Sequence, residues 1–432
     1  MKTIRILCGL MAVLAFTACS NSEDETDGGR RLSVVTLTAT MSGANTRALS
    51  EGAENALIAT FAVGDIVEVV DAEDYHIGTL KAQTEGVSTT LTGTIDTEYL
   101  VAGEEVRLRY LNYEAKYDGQ DGTLDGIAAG LDYAEGTLTV KTKEPLTFES
   151  NEVTLSSKQS ISKFSFTDGS NPVSVKNFGI AAEGLVQCID IAGVETTGPV
   201  TGTLSSAASE VYVALRNSSG SKQTYSFYVS DAAGDWYTGT KSANLANGKN
   251  YTASVALTKL SALSASSAVG EVGVIDGLPA IVVDINGTNK AVALMNAGAL
   301  CPEHYGGYYT FAELSSAVSG DWYVPSKAEL DAISGITDKK LTTQYGVNGC
   351  LFTIGSNALF LPAAGYCHND GDDIYAEEGY SYVTEVGYYW SSEGTSPDAL
   401  AYCLRFSSHQ NTTFGEYKIN NLSVRPFHQL NP

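Results

Sequence analysis

Apolar and polar residues alternate at short range through most of this chain. LSVVTLTATM (32–41), DIVEVVD (65–71), STTLTGTI (88–95) and EVRLRYL (105–111) alternate or cluster β-branched residues, with Gly, Asp and Asn between them. Period-two runs broken at such intervals predict strands of a sandwich or barrel. A second block follows the same rule: SISKFSFTD (160–168), EVYVALR (210–216), TYSFYVSD (224–231) and YTASVALTKL (251–260). SALSASSAVG (261–270) is small and polar, the composition of a linker. Beyond it Tyr and Trp become frequent, and TFAELSSAV (310–318) and SKAELDAIS (326–334) predict short helices. In the second, Ser326 is placed to N-cap, with Glu329 as its capping-box partner. Boundaries are expected near 146 and 262, dividing the chain into units at 32–146, 147–260 and 290–432, with a linker and entry strand at 261–289.

The start of the chain has a different pattern. Lys2 and Arg5 precede an apolar run from Ile6 to Phe16, and the small residues Thr17 and Ala18 lead to Cys19. The run is too short to span a bilayer as a helix. This layout is that of a secretory signal over 1–19. A cysteine directly after the small residues resembles the bacterial lipobox, with Phe16 where Leu is commoner. The resemblance implies that Cys19 is acylated and becomes the new N-terminus, so that lipid holds the chain on a membrane. The acidic segment 20–31 has the composition of a flexible tether. Its SEDE stretch (22–25) resembles the export signal of surface-exposed Bacteroidota lipoproteins.

Composition narrows the partners. A chain of 432 residues suggests two or three domains. The formal charge is −24, and loss of Lys2 and Arg5 with the signal takes it near −26. Such a chain repels nucleic acid and anionic lipid headgroups. No later segment approaches 18 apolar residues, so no transmembrane helix is expected. Besides Cys19, the mature chain keeps Cys188, Cys301, Cys350, Cys367 and Cys403. One or two disulfides are open to the last four, with pairing unassigned.

FAVGDIVEVVD (61–71) followed by VSTTLTGTI, and VYVALR followed by NGKNYTASVAL (247–257), resemble the fimbrillin (FimA-like) pilin superfamily over roughly 32–260. The resemblance implies two tandem transthyretin-like β-sandwich domains, lipoprotein export and assembly into pili at the cell surface. In that family a surface protease cuts after an arginine following the first strand. GANTRALS (43–50) carries Arg47 in the matching region, so the implied cut lies between Arg47 and Ala48. A neighbouring subunit then donates a strand. The lipid on Cys19 would leave with the first strand.

DWYVPSKAEL (321–330), LFLPAAGY (359–366), GYYWSSEG (387–394), AYCLRFSS (401–408) and SVRPF (423–427) occur in this order. Together they resemble the FISUMP domain, implying an α+β C-type-lectin-like fold over about 290–432. Trp322, Pro325, Trp390 and Arg425 are then expected to build that fold. The Glu-Pro-Asn and Trp-Asn-Asp motifs of calcium-dependent sugar binding are missing from the sequence. Thirteen of the 24 tyrosines fall in 301–432. Two polar segments, 368–382 and 407–417, are read as loops. Loops on a rigid scaffold are where recognition sits. Tyr375, Tyr380, Tyr382, His409 and Asn411 are therefore the ligand-binding candidates.

Metal and catalytic signals are weak. Asp118, Asp121 and Asp125, and Asp370, Asp372 and Asp373, lack the spacing of a calcium loop. The histidines form no metal pair, and no nucleophile elbow or P-loop occurs. A reactive Cys350 or Cys367, as in formylglycine-generating enzymes of lectin-like fold, is the only enzymatic opening. No catalytic residue, metal or cofactor is expected beyond the lipid on Cys19. The leading expectation is a pilus subunit, a tip adhesin in particular, because the chain runs from the second domain into a third instead of offering a donor tail. Its partners would be other pilin subunits, a host or microbial surface glycan or protein, and outer-membrane lipid through Cys19. The alternative is a non-polymerising surface lipoprotein that binds glycan or protein.

Overall fold

The computed structural model describes residues 25–27, 30–42, 50–51, 57–58, 60–110, 115–131, 133–189, 194–218, 220–367, 380–381, 384–396 and 398–430. The chain is mainly β, with its strands in several sheets. The first contains β1 (Arg30–Ser42), β2 (Ile66–Val70), β3 (His76–Ala82), β4 (Ser88–Asp96), β5 (Glu105–Tyr110), β6 (Ala134–Thr142) and β7 (Glu152–Ser157). Their order is β1, β7, β6, β5, β2, β3, β4, and the ring closes because β4 pairs with β1. Only the β1–β7 pairing in this ring is parallel. The alternation seen in the sequence puts Val35, Leu37, Ala39 and Met41 of β1 inside.

Two expectations shift here. The boundary near 146 moves, because β7 belongs to the first sheet. At Pro145 the chain turns and returns to the same sheet through Thr147–Phe148, paired with β6. Regular structure also begins inside the expected tether: Glu25–Asp27 pairs back onto Arg30–Leu32.

The second sheet contains β8 (Ser160–Asp168), β9 (Val175–Ala181), β10 (Leu185–Ile189), β11 (Val200–Ala208), β12 (Glu210–Asn217), β13 (Gln223–Asp231), β14 (Trp236–Ala243) and β15 (Asn250–Lys259). Its core is aromatic, with Phe164, Phe166 and Phe227 in mutual ring contact. It is completed from outside its own stretch. Between β5 and β6 the chain crosses over, and Ala115, Tyr117, Ile127, Ala128 and Leu131 pack into this second core. Gln120 fixes the crossing, donating to Ala214 O at 2.8 Å and accepting from Ala214 N at 2.9 Å. The crossing contains α1 (Leu124–Gly130), N-capped by Thr123. The Gly-Asp texture of this segment reads as a turn and gives no sign of the helix.

The third unit begins within the segment expected as linker and entry strand. β16 (Val272–Ile275), β17 (Leu278–Ile285), β18 (Thr288–Ala293), β19 (Trp322–Tyr323) and, far along the chain, Phe427–Gln429 form one sheet. α2 (Lys327–Ser334) has the expected capping box from Ser326 and Glu329. The other expected helix is a short 3-10 turn, Phe311–Ser316. β20 (Lys339–Gln344), β21 (Val347–Ile354) and β22 (Asn357–Pro362) make a second sheet. A third consists of β23 (Gly387–Gly394), β24 (Leu400–Phe406) and β25 (Asn411–Tyr417). Phe427–Gln429 is named β26; it pairs with both β18 and β19.

The second and third units are tied together. Trp236 donates its indole N–H to Gly277 O at 2.8 Å. A Cβ at Gly179 would lie 2.7 Å from Leu300 O, so only glycine lets the backbones approach there. His304 meets Asp118 at 2.8 Å, and Asp118 also accepts from Thr201 N at 3.0 Å. Burial alone would raise the Asp118 carboxyl. Its bonds to His304 and Thr201 outweigh burial and hold it below the ordinary carboxylate value. A depressed carboxyl stabilises the fold above its unfolded pKa, and that contribution disappears as pH falls through the folded one. Asp118→Asn is therefore expected to lower stability at pH 7 and to flatten the acid limb below pH about 4. Melting temperature followed against pH in both proteins checks this.

Candidate functional site

β1 is held from both sides. Along one edge Leu32 to Thr40 pair with Asp96 to Ser88 of β4. Along the other, Thr38 to Ser42 pair with Glu152 to Ser156 of β7. Thr38 N donates to Asn151 O at 2.8 Å, and Met41 N to Val87 O at 2.9 Å. Near its start, Thr97 donates to Arg31 O through both its backbone N–H, at 2.7 Å, and its hydroxyl, at 3.0 Å. Inward, the strand inserts one short row of apolar side chains; outward, Val34 is 79% exposed. Taken away, β1 would leave two unpaired edges flanking an apolar groove. Such a groove accepts an extended segment with apolar residues at alternate positions.

Through Phe61 the FAVGD motif joins the same apolar core as β1. Phe61 is fully buried and meets Tyr110 edge-on, with centroids 5.3 Å apart. Gly64 takes φ +87°, a conformation that glycine adopts without strain. The turn it allows brings the Asp65 carboxylate to Ala62 N at 2.7 Å and the Tyr110 hydroxyl at 2.5 Å. The motif thus anchors the core on which β1 rests.

The other candidates divide into three groups. Cys19, Arg47, Ala48, Tyr375 and Tyr382 lie outside the described residues. Tyr380 is placed only by its backbone, which pairs with Cys367. His409 is exposed in the turn between β24 and β25, its N–H bonded to Ser407 Oγ at 3.2 Å. Asn411 is half-buried at the start of β25. Its amide lies at 3.3 Å from both Ser334 O and Ser334 Oγ, so the side chain ties β25 to the end of α2. The expected 407–417 loop is corrected: Asn411–Tyr417 is strand, paired along β24. Thr412, Thr413 and Phe414 hid that strand behind polar neighbours.

The scaffold residues stand as expected. Trp390 is fully buried and donates to Tyr309 O at 2.7 Å. Arg425, also buried, donates to Ala293 O and Phe360 O at 3.0 Å each. Trp322 and Pro325 are buried. Several tyrosines serve the frame as well: Tyr389 bonds Pro362 O at 2.8 Å and Tyr308 bonds Ala364 O at 2.6 Å. Tyrosine enrichment therefore marks scaffold at these positions.

Cys188, Cys301, Cys350 and Cys403 are free thiols. Burial pushes Cys350 up to about 11 and raises Cys301 and Cys403, which disfavours the nucleophilic thiolate. Asp121 is spent on Thr123, at 2.9 Å from its N–H. Asp370, Asp372 and Asp373 lie outside the described residues. Among the described residues, Asp276, Asp321 and His428 are grouped closely enough to hold an ion, from segments too far apart for any motif to announce. No described helix is long and apolar enough to cross a membrane.

No protein-family model matches the chain, and no curated protein does. Among solved structures it is similar to a candidate cell adhesion protein from Bacteroides ovatus, at 16% identity over 54% of this chain and 97% of that one, TM-score 0.30. It is similar to the tip fimbrial protein Mfa3 from Porphyromonas gingivalis, at 10% identity over 48% and 81%, TM-score 0.27. A fimbrial assembly protein from Parabacteroides distasonis matches at 12% identity over 60% and 95%, TM-score 0.26.

Proposed function

We propose that this chain is a cell-surface pilus subunit in which β1 is a placeholder, released by a cut between Arg47 and Ala48 and replaced by a strand from a neighbouring subunit. The observation that carries this reading is the position of β1: it closes the first sheet through both edges and fills its apolar groove. Arg47 follows it by only five residues. In this reading Cys19 carries the lipid that delivers the precursor to the outer membrane, and the lipid departs with β1. The third unit is the adhesive part, facing a surface glycan or protein, and the subunit sits at the tip. That position is supported by the third unit, which takes up the chain beyond β15 in sheets of its own.

A second reading is a lipoprotein that stays tethered and binds its ligand without polymerising. The completeness of the first sheet favours it, since the precursor already has both β1 ladders made. Arg47→Ala separates the two. In a pilus subunit it should abolish incorporation into high-mass surface assemblies while leaving export and folding intact. Unchanged assembly would refute the placeholder reading.

A further inference from the structure

We propose that Asp276, Asp321 and His428 form a binding site for a divalent first-row transition ion such as zinc. Ligand atoms of the three residues all lie within 4.8 Å of one another. They come from three separate places. Asp276 sits in the β16–β17 turn at φ +43°, Asp321 precedes β19, and His428 lies in β26. Sheet pairing brings the last two together, since Trp322 is the partner of His428.

His428 Nδ1 is 2.6 Å from Gln429 O. A carbonyl only accepts, so Nδ1 carries the proton. In the neutral ring Nε2 then presents a lone pair. It faces Asp276 Oδ2 at 2.9 Å, another acceptor, with the Asp321 carboxylate beside them. With the ring neutral, three acceptors converge. A proton on Nε2 would instead make the His428–Asp276 contact an ion pair. A divalent ion takes all three, and two carboxylates balance its charge.

The surroundings fit this use. A histidine whose second nitrogen is fixed by a backbone carbonyl is oriented as metal-binding histidines are. The ring is buried, while both carboxylates are open to solvent, so an ion has a way in. Zinc–ligand bonds of about 2.1 Å set tetrahedral neighbours about 3.4 Å apart, a closure that exposed carboxylates can make. One nitrogen and two carboxylate ligands suit zinc or manganese and leave coordination positions for water or a further ligand. The Asp276 turn is already braced by the Trp236–Gly277 bond, so an ion here would also stiffen the junction with the second unit.

Trp322 supplies a reporter. Its ring meets that of His428 edge-on at 5.2 Å, and its buried indole N–H has no hydrogen-bond partner among the described residues. The test uses the full mature chain. Calorimetric titration with Zn²⁺ is expected to give one site, weakened at least tenfold by Asp276→Asn with Asp321→Asn. Both carboxylates are exposed, and unchanged melting of the ion-free variant checks that its fold is kept. Co²⁺ should quench tryptophan fluorescence, and Trp322→Phe should reduce that quenching, leaving the part from Trp236, while Zn²⁺ still binds. No Zn²⁺ binding to the unaltered chain, or binding that the double asparagine variant leaves unchanged, would overturn the proposal and leave an ordinary His428–Asp276 ion pair.

Discussion

A chain that starts at Ala48 will lose the cooperative melting of its first sheet, and a peptide covering residues 30–42 will restore it. β1 contributes Val35, Leu37 and Met41 to the core, each no more than 6% exposed. Burying a side chain of this size stabilises by about 1.5–3 kcal/mol. Three such losses are a large part of the ~5–15 kcal/mol that separates a folded domain from its unfolded chain. The backbone loss adds to this, because β4 and β7 both become bare edges. The other residues of the ring keep their own pairings, so the sheet should open and loosen while the second and third units remain folded. Calorimetry with and without the peptide measures the effect. A Leu37→Asp peptide should fail to rescue, since it would bury a charge. Identical melting of the two chains without peptide would show that β1 contributes little.

The groove was legible because β1 declares itself by strict alternation from Val35 to Met41. Its partner β7 was less so. EVTLSS is short, follows Pro145, and has three hydroxyl residues, so only tertiary pairing reveals which sheet it joins. The crossing of 115–131 into the second core left no local trace, because Tyr117 and Ile127 look like any apolar residues near a turn. Gly-Asp spacing there favoured a turn over the helix that Thr123 caps. In the third unit the tryptophans and Arg425 were readable as frame. The tyrosine excess misled, since Tyr308 and Tyr389 spend their hydroxyls on backbone carbonyls. The Asp276–Asp321–His428 grouping was invisible, with Asp276 and His428 separated by 152 positions in sequence.

Trp390→Ala should destabilise the third unit by about 3–5 kcal/mol, the usual cost of removing a fully buried large aromatic. Trp390 meets Phe311 edge-on at 5.7 Å and packs with Leu314, Val324, Leu422 and Val424. Its indole bond to Tyr309 O would also be lost. That carbonyl keeps Leu422 N at 3.0 Å, so the cavity dominates the cost. The cavity forms where β23 meets the 3-10 turn, away from the first two sheets, so their unfolding should not move. Chemical denaturation followed by fluorescence of Trp236 in the second unit and Trp322 in the third, with calorimetry for the first unit, which has no tryptophan, separates them. A loss below about 1 kcal/mol would mean that the core closes around the gap, and that Trp390 is not the keystone its burial implies.

The placeholder role of β1 is tested most directly by the N-terminus of the protein as it occurs on cells. Mass spectrometry of the chain taken from high-mass surface assemblies should find Ala48 as the first residue, with Cys19 and β1 gone. Chains in those assemblies that still begin at acylated Cys19 and retain β1 would contradict strand replacement.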